Sequence, residues 1–160
     1  MITEDYVSFE VAKLLKEKGF KMWCYKCYGD AVYHKGVPIS FDEECELKDE
    51  GLEDEIEYVE GGCLYDFGCD NRKEDVKVYA APTLQMAVKW LRKKGFHIFA
   101  PLEIDYDEDE RGYKWYHDAT YYPEIIRVSD GKIMYDDSAL YATPEQAYEA
   151  AIKYCLENLI

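Results

Sequence analysis

The chain has 160 residues, is 48% hydrophobic and 33% charged, and carries a formal net charge of −15. This size and apolar content suit one domain or two small ones and argue against a disordered chain. The acidity disfavours direct contact with nucleic-acid phosphates or anionic lipid heads, and the longest wholly apolar run, Ile98 to Leu102, is far too short to cross a membrane.

The acidic start from Met1 to Asp5 has no apolar stretch behind it and does not read as a signal peptide. A cytoplasmic protein is expected, with its six cysteines as reduced thiols. The first helix is predicted near 8–18. Ser8 can cap its first turn, Glu10 suits the positive end of its dipole, and Val11, Leu14 and Leu15 share a face. Lys16, Lys18 and Gly19 mark its end. A strand is expected from Phe20 to Tyr28, then an irregular acidic region, then a strand near Val76 to Tyr79.

The second helix is predicted over 83–94, opened by Thr83 after Pro82. Leu84, Ala87, Val88 and Leu91 follow the helical period, and Met86 and Trp90 add a second apolar stripe. Arg92, Lys93 and Lys94 read as partners of the negative end of the dipole, with an anion site as the alternative. The run from His97 to Ile104 reads as one strand, with Pro101 implying an edge or a bulge. After an acidic loop comes a strand from Tyr113 to Tyr121. Ile125 to Val128 and Ile133 to Tyr135 then flank Asp130-Gly131 as a hairpin. Thr143 and Pro144 open the third helix, over 144–158, with Tyr148, Ala151, Ile152, Cys155 and Leu159 on one side.

The fold class that follows is α+β, with helices packed on an antiparallel β-meander and a C-terminal half that runs α-β-β-β(-β)-α. The expected division is 1–80, an α-β unit with the acidic region, and 81–160, the α-meander-α unit. Leu15 to Phe20 resembles Leu91 to Phe96. A duplicated α-β unit would explain the similarity, as would ordinary helix-ending chemistry.

Chemistry is sparse. Cys24 and Cys27 form a Cys-x-x-Cys pair that can place two thiolates on zinc. A full site would draw on His34, Cys45, Cys63 or Cys69, none of which makes a second tight pair. Strand alternation points Cys24 and Cys27 to opposite faces, so packed or exposed thiols are the plain alternative, and no structural metal is expected. Asp105 to Asp109 resembles the start of a calcium loop, but Glu110 and Tyr116 stand where glycine and a bidentate glutamate belong. His34, His97 and His117 have no partner at a metal or triad spacing. No phosphate loop or nucleophile elbow is present, and no cofactor is expected. Residues 42–60 hold eleven acids against the single base Lys48, and 103–110 hold six more acids. The stretch from Asp42 to Glu60 is expected to face water and, if it binds, to attract a basic protein through Glu43, Glu44, Glu53, Asp54 and Glu55.

Two segments, Ala81 to Arg92 and Tyr141 to Leu159, together with Tyr6 to Phe20, resemble a family of short, acidic, uncharacterised proteins associated with phages and mobile elements of gut bacteria. The C-terminal half is more distantly similar to the αβα sandwich domain of phage proteins. The resemblance implies a mobile-element origin and brings no catalytic or binding residues with it. The function expected is a non-enzymatic accessory protein acting by contact with another protein of unknown identity. The alternatives are a metal-stabilised domain built on Cys24 and Cys27 or an acidic mimic of nucleic acid.

Overall fold

The computed structural model describes residues 5–72, 77–136 and 139–160. Within them the chain is α+β, with four α-helices and small antiparallel sheets. It forms two compact units. One joins the segment ending at Lys18 to Pro82–Ile160, and the other is Gly19–Ala81. Among the described residues no helix is long and apolar enough to cross a membrane.

The first unit contains three helices, α1 (Phe9–Glu17), α3 (Leu84–Lys93) and α4 (Pro144–Asn158). Each starts where its hydroxyl cap stands. The side chains of Ser8, Thr83 and Thr143 accept from the backbone N–H groups of Val11, Met86 and Gln146. Such a cap satisfies a donor that the first turn would otherwise leave open. Their apolar faces meet in one core. Val11, Ala12 and Leu15 of α1, Leu84, Ala87, Val88 and Leu91 of α3, and Ala147, Ala151, Ile152, Cys155 and Leu156 of α4 are all buried. The sheet under them is β5 (Phe96–Phe99), β8 (Glu124–Arg127) and β9 (Ile133–Asp136), in the order β5-β8-β9. It contributes Ile98 and Ile125 to the core.

The meander expected in this half is interrupted. The run from His97 to Ile104 is two strands, β5 and β6 (Leu102–Glu108), split at Ala100-Pro101 because proline removes a ladder donor. β5 pairs with β8, and β6 pairs only with β7 (Lys114–Tyr121) in a separate two-stranded ribbon. The acidic run expected as a loop therefore continues the strand, and the turn begins at Asp109.

The second unit is a four-stranded sheet. β1 (Lys26–His34) pairs with β2 (Val37–Pro38), β3 (Ile56–Tyr65) and β4 (Tyr79–Ala81). The strand expected over Phe20 to Tyr28 starts later and runs further. Phe20 is fully buried, Cys24 makes only an isolated bridge with Cys69, and β1 proper turns at Lys35-Gly36 into β2. Both turn residues have positive φ, 50° and 78°, as a two-residue hairpin turn demands. The strand placed near Val76 to Tyr79 is β4, and Val76 itself lies outside the described residues. The irregular acidic region is in fact ordered secondary structure, with α2 (Phe41–Asp49), a 3-10 turn at Glu53–Glu55, and the first half of β3.

Candidate functional site

The segment Leu102-Glu103-Ile104-Asp105-Tyr106-Asp107 alternates apolar and acidic residues strictly. A strand sends successive side chains to opposite faces, so this pattern separates the two kinds. The register completes the separation. Leu102 lies opposite Tyr121, Ile104 opposite Ala119 and Tyr106 opposite Tyr116, and directly opposed residues share a face. The apolar face therefore carries Leu102, Ile104, Tyr106 and Tyr116, with the Tyr106 and Tyr116 rings 6.1 Å apart. The other face carries Glu103, Asp105 and Asp107. Trp115 stands opposite Asp107, and His117 Nε2 is 2.7 Å from the Asp107 carboxylate.

Neither face is covered among the described residues. All of β6 and β7 up to Ala119 are exposed. Leu102 is 50%, Ile104 43%, Tyr106 48% and Tyr116 67% accessible, values too high for a strand that packs on its own core. The ribbon is tied down at its base, where Tyr121 and Tyr141 exchange backbone hydrogen bonds of 2.9 and 2.8 Å. At its tip the Asp109 carboxylate accepts from the N–H groups of Arg111 and Tyr113. Asp109 is thus occupied in closing a turn, and Asp105 and Asp107 sit on an extended strand. The calcium-loop likeness of this segment comes from strand alternation.

The five acids singled out between Asp42 and Glu60 have separate surroundings. Glu43 closes a capping box with Ser40, and these hydrogen bonds hold its carboxyl below the usual range. Glu44 is buried at 9% exposure and accepts from Lys48 Nζ at 2.6 Å and Tyr58 Oη at 2.7 Å. Those two bonds also lower its pKa, the Lys48 bond most. Glu55 accepts from Lys35 and lies 2.9 Å from His34 Nε2, with the same effect. Glu53 and Asp54 are exposed. Ten of the eleven acids in this stretch face water and Glu44 alone does not.

The cysteines depart from the expectation of six reduced thiols. Cys27 and Cys69 are joined in a disulfide, with Cα atoms 6.2 Å apart. The reason is local. The backbones of Cys24 and Cys69 exchange hydrogen bonds of 2.8 and 3.0 Å, which brings residue 69 alongside the start of β1. Cys24 lies before β1, so the strand's alternation does not reach it, and Cys24 and Cys27 are both buried. Burial pushes the Cys24 thiol up to about 11, which leaves it protonated at neutral pH. Among the described residues no group of three or more His, Cys, Asp or Glu is arranged to hold a metal ion.

Of the basic cluster for which an anion site was the alternative, Arg92 borders a cleft of about 680 Å³ formed by α3, β5 and α4, and its neighbours there are Lys89 and His97, which sequence reasoning did not group with it. The signal was available, because Gln85, Lys89 and Arg92 recur at helical spacing on one side of α3.

In comparisons with known proteins, no family model, no curated protein and no solved structure matches the chain.

Proposed function

We propose that this chain is a non-enzymatic accessory protein that acts by contact, and that the β6–β7 ribbon is where it takes a basic segment of another protein. The observation that carries the reading is the uncovered apolar face of Leu102, Ile104, Tyr106 and Tyr116 backed by an acidic one. Exposed apolar patches with polar rims mark interaction surfaces, and tyrosine and tryptophan are enriched in them. Charge selects the occupant. The ribbon from Leu102 to Tyr121 holds seven acids against Arg111 and Lys114, within a chain of net charge −15. A second copy of the chain is repelled by that charge, and a basic segment is drawn to it. The resemblance to short acidic proteins of phages and mobile elements in gut bacteria agrees with an accessory role.

A photo-crosslinking side chain placed at Tyr116, in cells of the native host, tests this, with the same group at Val37 as control. The expected result is one discrete adduct with a basic protein from position 116 alone. Repeated in a lysate of the same cells, it should weaken as salt rises, because screening shortens from about 8 Å at physiological ionic strength to about 3 Å at 1 M. It should also weaken when Glu103, Asp105 and Asp107 are changed to their amides. A self-adduct, an acidic partner, identical adducts from both positions, or no adduct overturns the reading.

A further inference from the structure

The cleft between α3, β5 and α4 differs in charge from the rest of this acidic chain. No aspartate or glutamate is among its described lining residues. Lys89 and Arg92, one turn apart on α3, stand at its border, and neither has a carboxylate within 4.0 Å among the described residues. The Arg92 Nη2 group instead lies 3.0 Å from His97 Nε2. A guanidinium has no acceptor and stays protonated. It therefore donates to His97, whose ring is neutral with its proton on Nδ1. Burial and the neighbouring Arg92 charge both hold His97 below its ordinary value, which is consistent with that tautomer. An arginine that bonds a neutral ring, in a chain with 34 acids to choose from, keeps its full positive charge available.

The remaining walls are apolar or aromatic. Val88 and Phe99 line the cleft, Tyr148 faces it from α4, and the His97 and Phe99 rings lie 4.2 Å apart at a 31° tilt. The volume is within the range of small-molecule sites, roughly 300–1,000 Å³. Few convergent polar groups on an apolar floor are the usual composition of such a site.

We propose that this cleft binds a small organic carboxylate with a planar apolar body. Arg92 and Lys89 take the carboxylate, Arg92 by its two-pronged donor geometry, and Val88, Phe99 and Tyr148 hold the apolar part. This site is independent of the ribbon. An anion seated beside Arg92 offsets the charge that opposes protonation of His97. Arg92 and Lys89 from α3 and Tyr148 from α4 line the cleft with that ring, and Glu124 of β8, opposite Phe99, shares its sheet face one cross-strand position away.

Benzoate is a suitable probe, followed through the imidazole resonances of the intact protein by NMR. His97 is assigned with His97→Gln, and His34 and His117 serve as internal references. Benzoate should shift the His97 signals to saturation, with a dissociation constant of about a millimolar for so small a ligand. It should raise the pH at which His97 titrates and leave His34 and His117 unmoved. Benzamide, the same shape without charge, should bind at least tenfold more weakly. Arg92→Gln and Lys89→Gln, both at exposed positions, should each reduce benzoate affinity severalfold while the thermal transition stays in place. A shift that does not saturate, equal affinity for benzamide, or undiminished binding in Arg92→Gln overturns the proposal.

Discussion

Leu91→Ala and Tyr116→Ala form a paired test of where this protein keeps its apolar surface for itself and where it does not. Leu91 is 0% exposed in the helical core, and Tyr116 is 67% exposed on the ribbon. Truncating Leu91 removes three carbons from a packed interior. At about 0.8 kcal/mol for each buried methylene the transfer loss alone is roughly 2.4 kcal/mol. The cavity left behind raises the total to about 3–4 kcal/mol, within the ~2–5 range for such changes. Truncating Tyr116 removes mainly its cross-strand pairing with Tyr106, worth about 0.2–1 kcal/mol. Both residues belong to the same compact unit, so one thermal transition followed by circular dichroism reads both. For a chain of this size each kcal/mol moves the melting temperature by about 2–4 °C. Leu91→Ala should lower it by roughly 6–16 °C and Tyr116→Ala by less than about 4 °C. An equal loss in the two variants would mean that the ribbon face is packed, and both the fold reading and the docking surface would fail with it.

Three other outcomes are expected. Unfolded without reductant, the protein should expose four thiols of its six cysteines to a thiol reagent, because Cys27 and Cys69 are paired. With a sequence separation of 42, removing the link should cost up to about 4 kcal/mol in the chain-entropy account, and six reactive thiols would refute the pairing. Glu44→Gln should destabilise the second unit by about 1–2 kcal/mol at pH 7, since it weakens two hydrogen bonds to a buried carboxylate. The Glu44 pKa is lowered on folding, so its contribution is complete above the unfolded carboxylate value near 4.5 and disappears as pH falls through the folded one. Denaturation curves of the two proteins should therefore converge in acid, and a gap that persists there would rule out the carboxylate as its source. Gly131→Ala should cost about 1–2 kcal/mol, because Gly131 holds φ +67° in the β8–β9 turn, and an unchanged denaturation midpoint would contradict this.

The helices were legible because their signals are local. Ser8, Thr83 and Thr143 each cap within three residues, and the apolar period sits within the same ten or fifteen positions. The ends agree with expectation to a residue or so. What was not legible was pairing across distance. Periodicity alone could not say that β5 would pair with β8 and release β6 to a ribbon, although Pro101 marked the break. The hairpin at Lys35-Gly36 was missed because lysine is unusual at positive φ, so that turn lacks the Asn-Gly or Asp-Gly signal that Asp130-Gly131 supplies. The Cys27–Cys69 link depends on a bridge between residues 24 and 69 that no sequence spacing encodes.

The acidic stretch illustrates a different limit. Counting its charge was easy, and the expectation that its carboxylates face water holds for ten of eleven. The count hid the capping box Ser40-Phe41-Asp42-Glu43, which is a helix-start signature and the reason α2 forms where an irregular region was expected. It also treated Glu43, Glu44, Glu53, Asp54 and Glu55 as equivalent. Glu43 caps α2, Glu44 ties α2 to β3 through Tyr58, and Glu55 holds Lys35 and His34 beside the β1–β2 turn. Neutralising those three disturbs the fold before it reveals anything about attraction to a partner. The acids that can be changed to test long-range attraction are the exposed ones whose side chains hold no cap or turn, such as Asp42, Glu46 and Asp49 on α2, Glu50 just past its end, and Glu53 and Asp54 in the 3-10 turn. Charge repulsion in this stretch is therefore tolerated because its few structural carboxylates are each satisfied by a nearby donor and the rest remain solvated.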